Sequence, residues 1–114
     1  MIPVTVGICA YNEAGNIERS VRSLYSQRTD GISIEEVIVV SSGSTDGTDS
    51  IVRRLLPEYG NLRLLCQERR EGKNSAINLL LDSKSTEIVV LLNADNAFGS
   101  ENSLRELLAP FRDP

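Results

Sequence analysis

The sequence contains no histidine and no tryptophan, and only two cysteines and four prolines in 114 residues. Without histidine, no Ser/His/Asp or Cys/His nucleophile system can form, so acid, base and metal-ligand roles fall to carboxylates. Cys9 and Cys66 both lie inside apolar runs. Such a pair supports neither a disulfide framework nor a zinc site, and free, reduced thiols of a cytoplasmic protein are expected. Long hydrophobic runs are missing as well: the longest, Ile88 to Leu92, falls far short of the ~20 residues that cross a bilayer. A signal-peptide pattern is not visible. Basic charge is scarce, with 12 Lys and Arg against 16 Asp and Glu and a net charge of -4. No segment gathers Lys and Arg on one face, so nucleic acid is not an expected partner.

What remains is an ordinary globular composition, 40% hydrophobic and 25% charged, sized for a single domain over 1–114. Val4 to Ala10, Glu36 to Val40, Leu62 to Gln67 and Glu87 to Leu92 are rich in Val, Ile and Leu, as strands buried on both faces should be. Between and after them, apolar residues recur at helical spacing: Ile17, Val21 and Leu24; Ile51 and Leu55; Ala76, Ile77, Leu80 and Leu81; then Leu104, Leu107, Leu108 and Phe111. Asn12, Asp46 or Thr48, and Ser100 or Asn102 are candidate helix caps, and Pro57 is expected to stop the second helix.

This βαβαβαβα alternation predicts an α/β fold with a Rossmann-like parallel sheet, strand order 3-2-1-4, and helices on both faces. Ligands bind such sheets at the switch point beyond the carboxyl ends of the strands. Tyr11, Asn12 and Glu13 after strand one, and Asn93, Ala94 and Asp95 after strand four, fall there. In that order strand two separates Cys9 from Cys66 by two strand spacings, about 9.6 Å, beyond the ~7 Å reach of a disulfide.

Three segments carry candidate chemistry, each with a plainer reading beside it. Ser41-Ser42-Gly43-Ser44-Thr45-Asp46-Gly47-Thr48 links strand two to a helix and either faces an anion with its N–H groups or is a turn and helix cap. It lacks the Gly-Lys-Ser/Thr ending of a Walker loop, and no G-x-G-x-x-G follows strand one. Asp95, at the end of the most apolar strand, either meets Mg²⁺ or Mn²⁺ together with diphosphate oxygens or caps the next turn. Lys73, after Gly72 at a helix start, opposes the helix dipole unless an anion sits nearby; its plainer reading is an exposed lysine that tolerates the position, and that of neighbouring Arg69 and Arg70 solvated charges.

Taken in order, Val4-Thr5-Val6-Gly7-Ile8-Cys9-Ala10-Tyr11-Asn12-Glu13, Val37-Ile38-Val39-Val40-Ser41-Ser42-Gly43-Ser44-Thr45-Asp46-Gly47-Thr48, Gly72-Lys73 and Leu91-Leu92-Asn93-Ala94-Asp95 resemble the N-terminal, nucleotide-binding half of family 2 glycosyltransferases with the GT-A fold. The resemblance runs from about Pro3 to Asn96. It implies a nucleotide-diphosphate sugar donor, an inverting transfer and a divalent metal, Mg²⁺ or Mn²⁺. In such enzymes the stretch matching Tyr11, Asn12 and Glu13 lines the nucleotide pocket, and the pair matching Ser41 and Ser42 lies near base or ribose. The segment matching Gly72 and Lys73 closes over the nucleotide, Asn93 and Asp95 occupy the D-x-D positions, and Asp95 meets the metal.

The departures are chemical. The family's acidic pair is Ser41-Ser42 here, and the first D-x-D acid is Asn93. Neutral acceptors form weaker bonds than carboxylates, so weak metal affinity is expected. The resemblance places the catalytic base and acceptor pocket in a second half beginning after Arg112-Asp113-Pro114. The chain is therefore expected to be a truncated GT-A fold that binds donor, contains no catalytic residue and transfers no sugar alone. Its acceptor (glycan, lipid or small molecule) stays open, as does membrane association through downstream segments. An unpaired fourth strand would invite homo-oligomers through that edge or nearby apolar surface. The alternatives are an inactive nucleotide-binding or interaction module, and a nucleotidyltransferase, against which Tyr11-Asn12-Glu13 speaks because that class carries a Gly-rich basic loop after strand one.

Overall fold

The computed structural model describes residues 2–29, 31–69, 71–93, 104 and 108, without the side chains of Lys73 and Asn93. In chain order the elements are β1 (Ile2–Ala10), α1 (Ile17–Tyr25), β2 (Ile32–Ser42), α2 (Thr48–Leu55), β3 (Leu62–Gln67), α3 (Lys73–Ser83) and β4 (Ile88–Asn93). All pairings are parallel and the order is β3-β2-β1-β4, as the alternation predicts. Leu104 and Leu108 are helical and buried; the rest of the expected last helix, with Ser100 and Asn102, lies outside the described residues. Among the described residues, no helix is long and apolar enough to cross a membrane.

The pleat sends alternate residues to opposite faces. On one face Val4, Val6 and Ile8 of β1 and Val37 and Val39 of β2 pack with Ile17, Val21 and Leu24 of α1 and Val52 and Leu55 of α2. On the other, Ile38 and Val40 meet Ala76 and Leu80 of α3. Each such side chain contributes about 1.5–3 kcal/mol on full burial, so these two layers are the main source of stability. Pro57 falls just past α2, as expected. Cys9 and Cys66 are not joined by a disulfide, also as expected. Burial pushes the Cys66 thiol up, and its hydrogen bond to Asp49 adds to this, so Cys66 is held as a neutral thiol.

The second strand begins four positions before its expected start at Glu36. Its polar residues conceal that half, because Val4 pairs with Ile34 but Thr5 with Glu36, leaving Glu35 as a bulge that breaks the alternation. The bulge places Glu36 inward. Its Oε1 accepts from the Ser85 N–H at 2.7 Å, the Ser85 hydroxyl at 3.0 Å and the Thr5 hydroxyl at 3.3 Å, while Oε2 accepts from Arg63 Nη1 at 3.0 Å. Burial alone raises this carboxyl's pKa, but the bonds from Ser85 and Arg63 outweigh it and hold the group below the usual glutamate range.

A depressed native pKa stabilises the fold above the unfolded value, about 4.3, and that stabilisation is lost as pH falls toward the native pKa. Glu36→Gln is therefore expected to lower the melting temperature at pH 7 and to flatten its fall between pH 5 and 3. Parallel melting curves for both proteins across that window would contradict the assignment.

Candidate functional site

The strand register brings the sequence-predicted segments to one end of the sheet. Cys9 pairs with Val40 on one side and Asn93 on the other, Ala10 pairs with Ser41, and Ser42 pairs with Gln67. Tyr11, Asn12, Ser41, Ser42 and Asn93 thus gather at the carboxyl ends of β1, β2 and β4, where the order reverses. Tyr11 is 40% exposed at this rim. Asp95 lies outside the described residues, two positions beyond the end of β4.

Asn12 is a correction to the cap assignment. Helix α1 begins one residue after Asn16, which caps it without a side-chain bond. Asn12 instead takes a left-handed backbone, φ 52°. Its Oδ1 accepts from the Thr45 N–H at 2.7 Å and from the Thr45 hydroxyl at 3.4 Å. The turn into α1 is made by the Glu13 carbonyl, which accepts from the N–H groups of Asn16 and Ile17. Asparagine tolerates the left-handed region, and here it is fixed by a partner from another loop.

That loop belongs to β2 and α2. The N–H of Asn12 donates to Ser44 Oγ at 3.1 Å, that of Glu13 to Thr48 Oγ1 at 2.9 Å and that of Ala14 to Asp46 Oδ2 at 3.0 Å. Asp46 Oδ1 also accepts from the Thr48 N–H at 3.1 Å and the Thr48 hydroxyl at 2.5 Å. The Thr48 hydroxyl bond, then the Ala14 N–H, hold the Asp46 carboxyl below its ordinary range. Asp46 does satisfy a first-turn N–H of α2, as a cap should, although Gly47 occupies the cap position with φ 97°.

Ser41 and Ser42 are both buried. The Ser41 hydroxyl donates to Ser44 Oγ at 2.8 Å, and Ser42 Oγ accepts from the Glu71 N–H at 3.3 Å, tying β2 to the approach to α3. Gln67 reaches the same helix through Ser75 Oγ at 3.1 Å, and its buried Oε1 has no partner among the described residues. Gly72 precedes Lys73 with φ 94° and ψ 163°, a backbone that only glycine adopts readily, and α3 starts with no side-chain cap bond. Ser44, Thr45, Asp46 and Thr48 are the residues whose cross-loop bonds the sequence did not announce. A run of Ser, Thr and Asp signals side chains bonding to backbone, but not to which backbone.

Among the described residues no three His, Cys, Asp or Glu side chains converge as a metal cluster. Mg²⁺ and Mn²⁺ need fewer protein ligands than such a cluster, being held by one or two carboxylates plus phosphate oxygens and water.

A parallel sheet of this order, with polar residues at the switch point, defines a Rossmann-like α/β protein whose ligand site is expected at that end. The family model for Glycosyl transferase family 2 matches residues 5–114, and the chain belongs to that family. Glycosyltransferase AglE of Haloferax volcanii is 38% identical over 92 residues, which are 81% of this chain and 30% of that protein. Among solved structures, the mannosyltransferase PcManGT from Pyrobaculum calidifontis in complex with GDP-Man and Mn²⁺ superposes with a TM-score of 0.85 at 37% identity, covering 97% of this chain and 32% of that one. TarS 1–349 of S. aureus in complex with UDP-GlcNAc gives 0.78 at 25% identity, covering 95% and 30%. The chain therefore spans about a third of the length of these relatives.

Proposed function

We propose that this chain forms the donor-binding part of an inverting, metal-dependent glycosyltransferase. The observation that carries the reading is the register that brings Tyr11, Asn12, Ser41, Ser42 and Asn93 to one end of the sheet. The relatives with bound nucleotide sugars support it. In this reading Tyr11, Asn12 and Glu13 line the nucleotide pocket, Ser41 and Ser42 lie near base or ribose, and Lys73, Asn93 and Asp95 belong to the nucleotide-sugar site. Asp95 holds the Mg²⁺ or Mn²⁺, which when bound neutralises charge on the departing diphosphate.

Guanosine diphosphate is the first donor nucleotide to try, because the neighbour holding GDP-Man shares 37% identity and the one holding UDP-GlcNAc 25%. None of the 114 residues is assigned as catalytic base. The purified chain is proposed to bind donor without forming glycosyl product.

Backbone NMR checks the placement. Adding GDP with Mg²⁺ is expected to shift the amides of Tyr11 to Glu13, Ser41 to Ser44, Lys73 to Ser75 and Asn93, and to leave Thr5, Glu36 and Ser85 at the opposite end unmoved. Shifts confined to that opposite end would refute the site. A second reading, an inactive binding module, draws on Ser41 and Ser42, whose hydroxyls are engaged inside the chain. Restoring the sequence that follows in a full-length relative and assaying transfer separates the two.

A further inference from the structure

Three consecutive backbone N–H groups after β1, those of Asn12, Glu13 and Ala14, all end on side chains of the β2–α2 segment: Ser44, Thr48 and Asp46. Each N–H has one proton to give, so none of the three remains for a phosphate. This segment therefore cannot act as a phosphate cradle in the manner of a glycine-rich loop. Its contribution is shape, and that shape is held from outside, by the Ser44, Thr48 and Asp46 side chains that take up these N–H groups.

Thr48 is central to the arrangement. It is fully buried at the first position of α2, and its hydroxyl uses both capacities, accepting from Glu13 N–H and donating to Asp46 Oδ1. Asp46, aligned by that bond and by the Thr48 N–H, receives Ala14 through its other oxygen. Asn12 closes the link by accepting from Thr45.

We propose that Thr48 and Asp46 are positioning residues for the donor, fixing the 11–14 loop in its ligand-ready shape before the nucleotide arrives. The proposal rests on the donor-site reading above. Apparent affinity scales with the fraction of molecules already in the competent shape, so a loop ordered only a tenth of the time binds about tenfold more weakly.

The test compares the wild type with Thr48→Val, Thr48→Ser and Asp46→Asn by amide hydrogen exchange and by calorimetric titration of GDP with Mn²⁺. Valine keeps the buried volume and removes the hydroxyl, serine restores it, and Asp46 is exposed, so its substitution spares the core. Thr48→Val is expected to speed exchange at Asn12, Glu13 and Ala14 about tenfold relative to Val6 and Ile38, and to weaken GDP binding about tenfold. Thr48→Ser should match the wild type, and Asp46→Asn should follow Thr48→Val. Wild-type exchange and affinity in both Thr48→Val and Asp46→Asn would overturn the positioning role alone. So would a uniform rise in exchange across the whole fold. Failure of the wild type to bind GDP or UDP would overturn the donor reading and the positioning role together, and the exchange data would still report whether the loop had been loosened.

Discussion

Gly7→Val is expected to destabilise the protein by about 3 kcal/mol or more, at the upper end of overpacking costs. Gly7 lies mid-strand in β1, paired with Ile38 and Leu91. A Cβ there would sit 2.2 Å from Leu80 Cδ2 and 2.8 Å from Leu80 Cδ1. Leu80, on the sheet-facing side of α3, is completely buried against Ile38, Val40 and Ala76 and has little room to retreat. Two effects oppose each other, since valine has better strand propensity than glycine by an amount within a scale of ~1 kcal/mol. The steric term is the larger, and it decides the sign.

At about 4 °C per kcal/mol for a domain of this size, the melting temperature should fall by roughly 12 °C. Gly7→Ala should cost less, because alanine adds the Cβ without valine's two further methyl groups. Trimming the obstacle in the double variant Gly7→Val/Leu80→Ala should recover part of the loss, the signature of direct contact. An unchanged or raised melting temperature for Gly7→Val would show that α3 does not approach β1 this closely.

Asp95→Ala is expected to remove metal-dependent nucleotide binding, weakening it by more than about 100-fold, beyond the 10–100-fold typical of changes that only support a metal ligand. The expectation follows from scarcity. The first D-x-D acid is Asn93 and the serine pair replaces two more acids, so Asp95 is the carboxylate left for the ion in this reading. In a richer site a neighbouring acid could compensate. The same substitution should leave nucleotide binding in EDTA at the wild-type level. Equal Mn²⁺-dependent affinity in both proteins would remove Asp95 from the site.

The four strands and their order were legible because Val37 to Val40 and Ile88 to Leu92 are continuous apolar runs of the kind that a sheet covered on both faces calls for, and Leu62, Leu64 and Leu65 mark the third strand despite Arg63. The first half of β2 was not, since the Glu35 bulge and the inward Glu36 imitate a polar loop. Gly7 was readable in principle: an isolated glycine in a strand often marks a close approach. The site divides similarly. Tyr11, Ser41, Ser42 and Asn93 could be placed from strand ends alone. The misassigned cap at Asn12 came from treating a loop as local, whereas its bonds reach Ser44 and Thr45, more than thirty positions away. Pairing across that distance is a property of the folded sheet, and no local spacing encodes it.

The central claim is that a nucleoside diphosphate and a divalent ion bind together at the β1–β4 switch point. Calorimetric titration of GDP and UDP into the wild-type chain, with Mn²⁺ and then with EDTA, tests it most directly. Saturable, one-to-one binding of at least one nucleotide that strengthens with Mn²⁺ is the expected result, with GDP the tighter of the two. Absence of binding by either nucleotide in the presence of Mn²⁺ would contradict it.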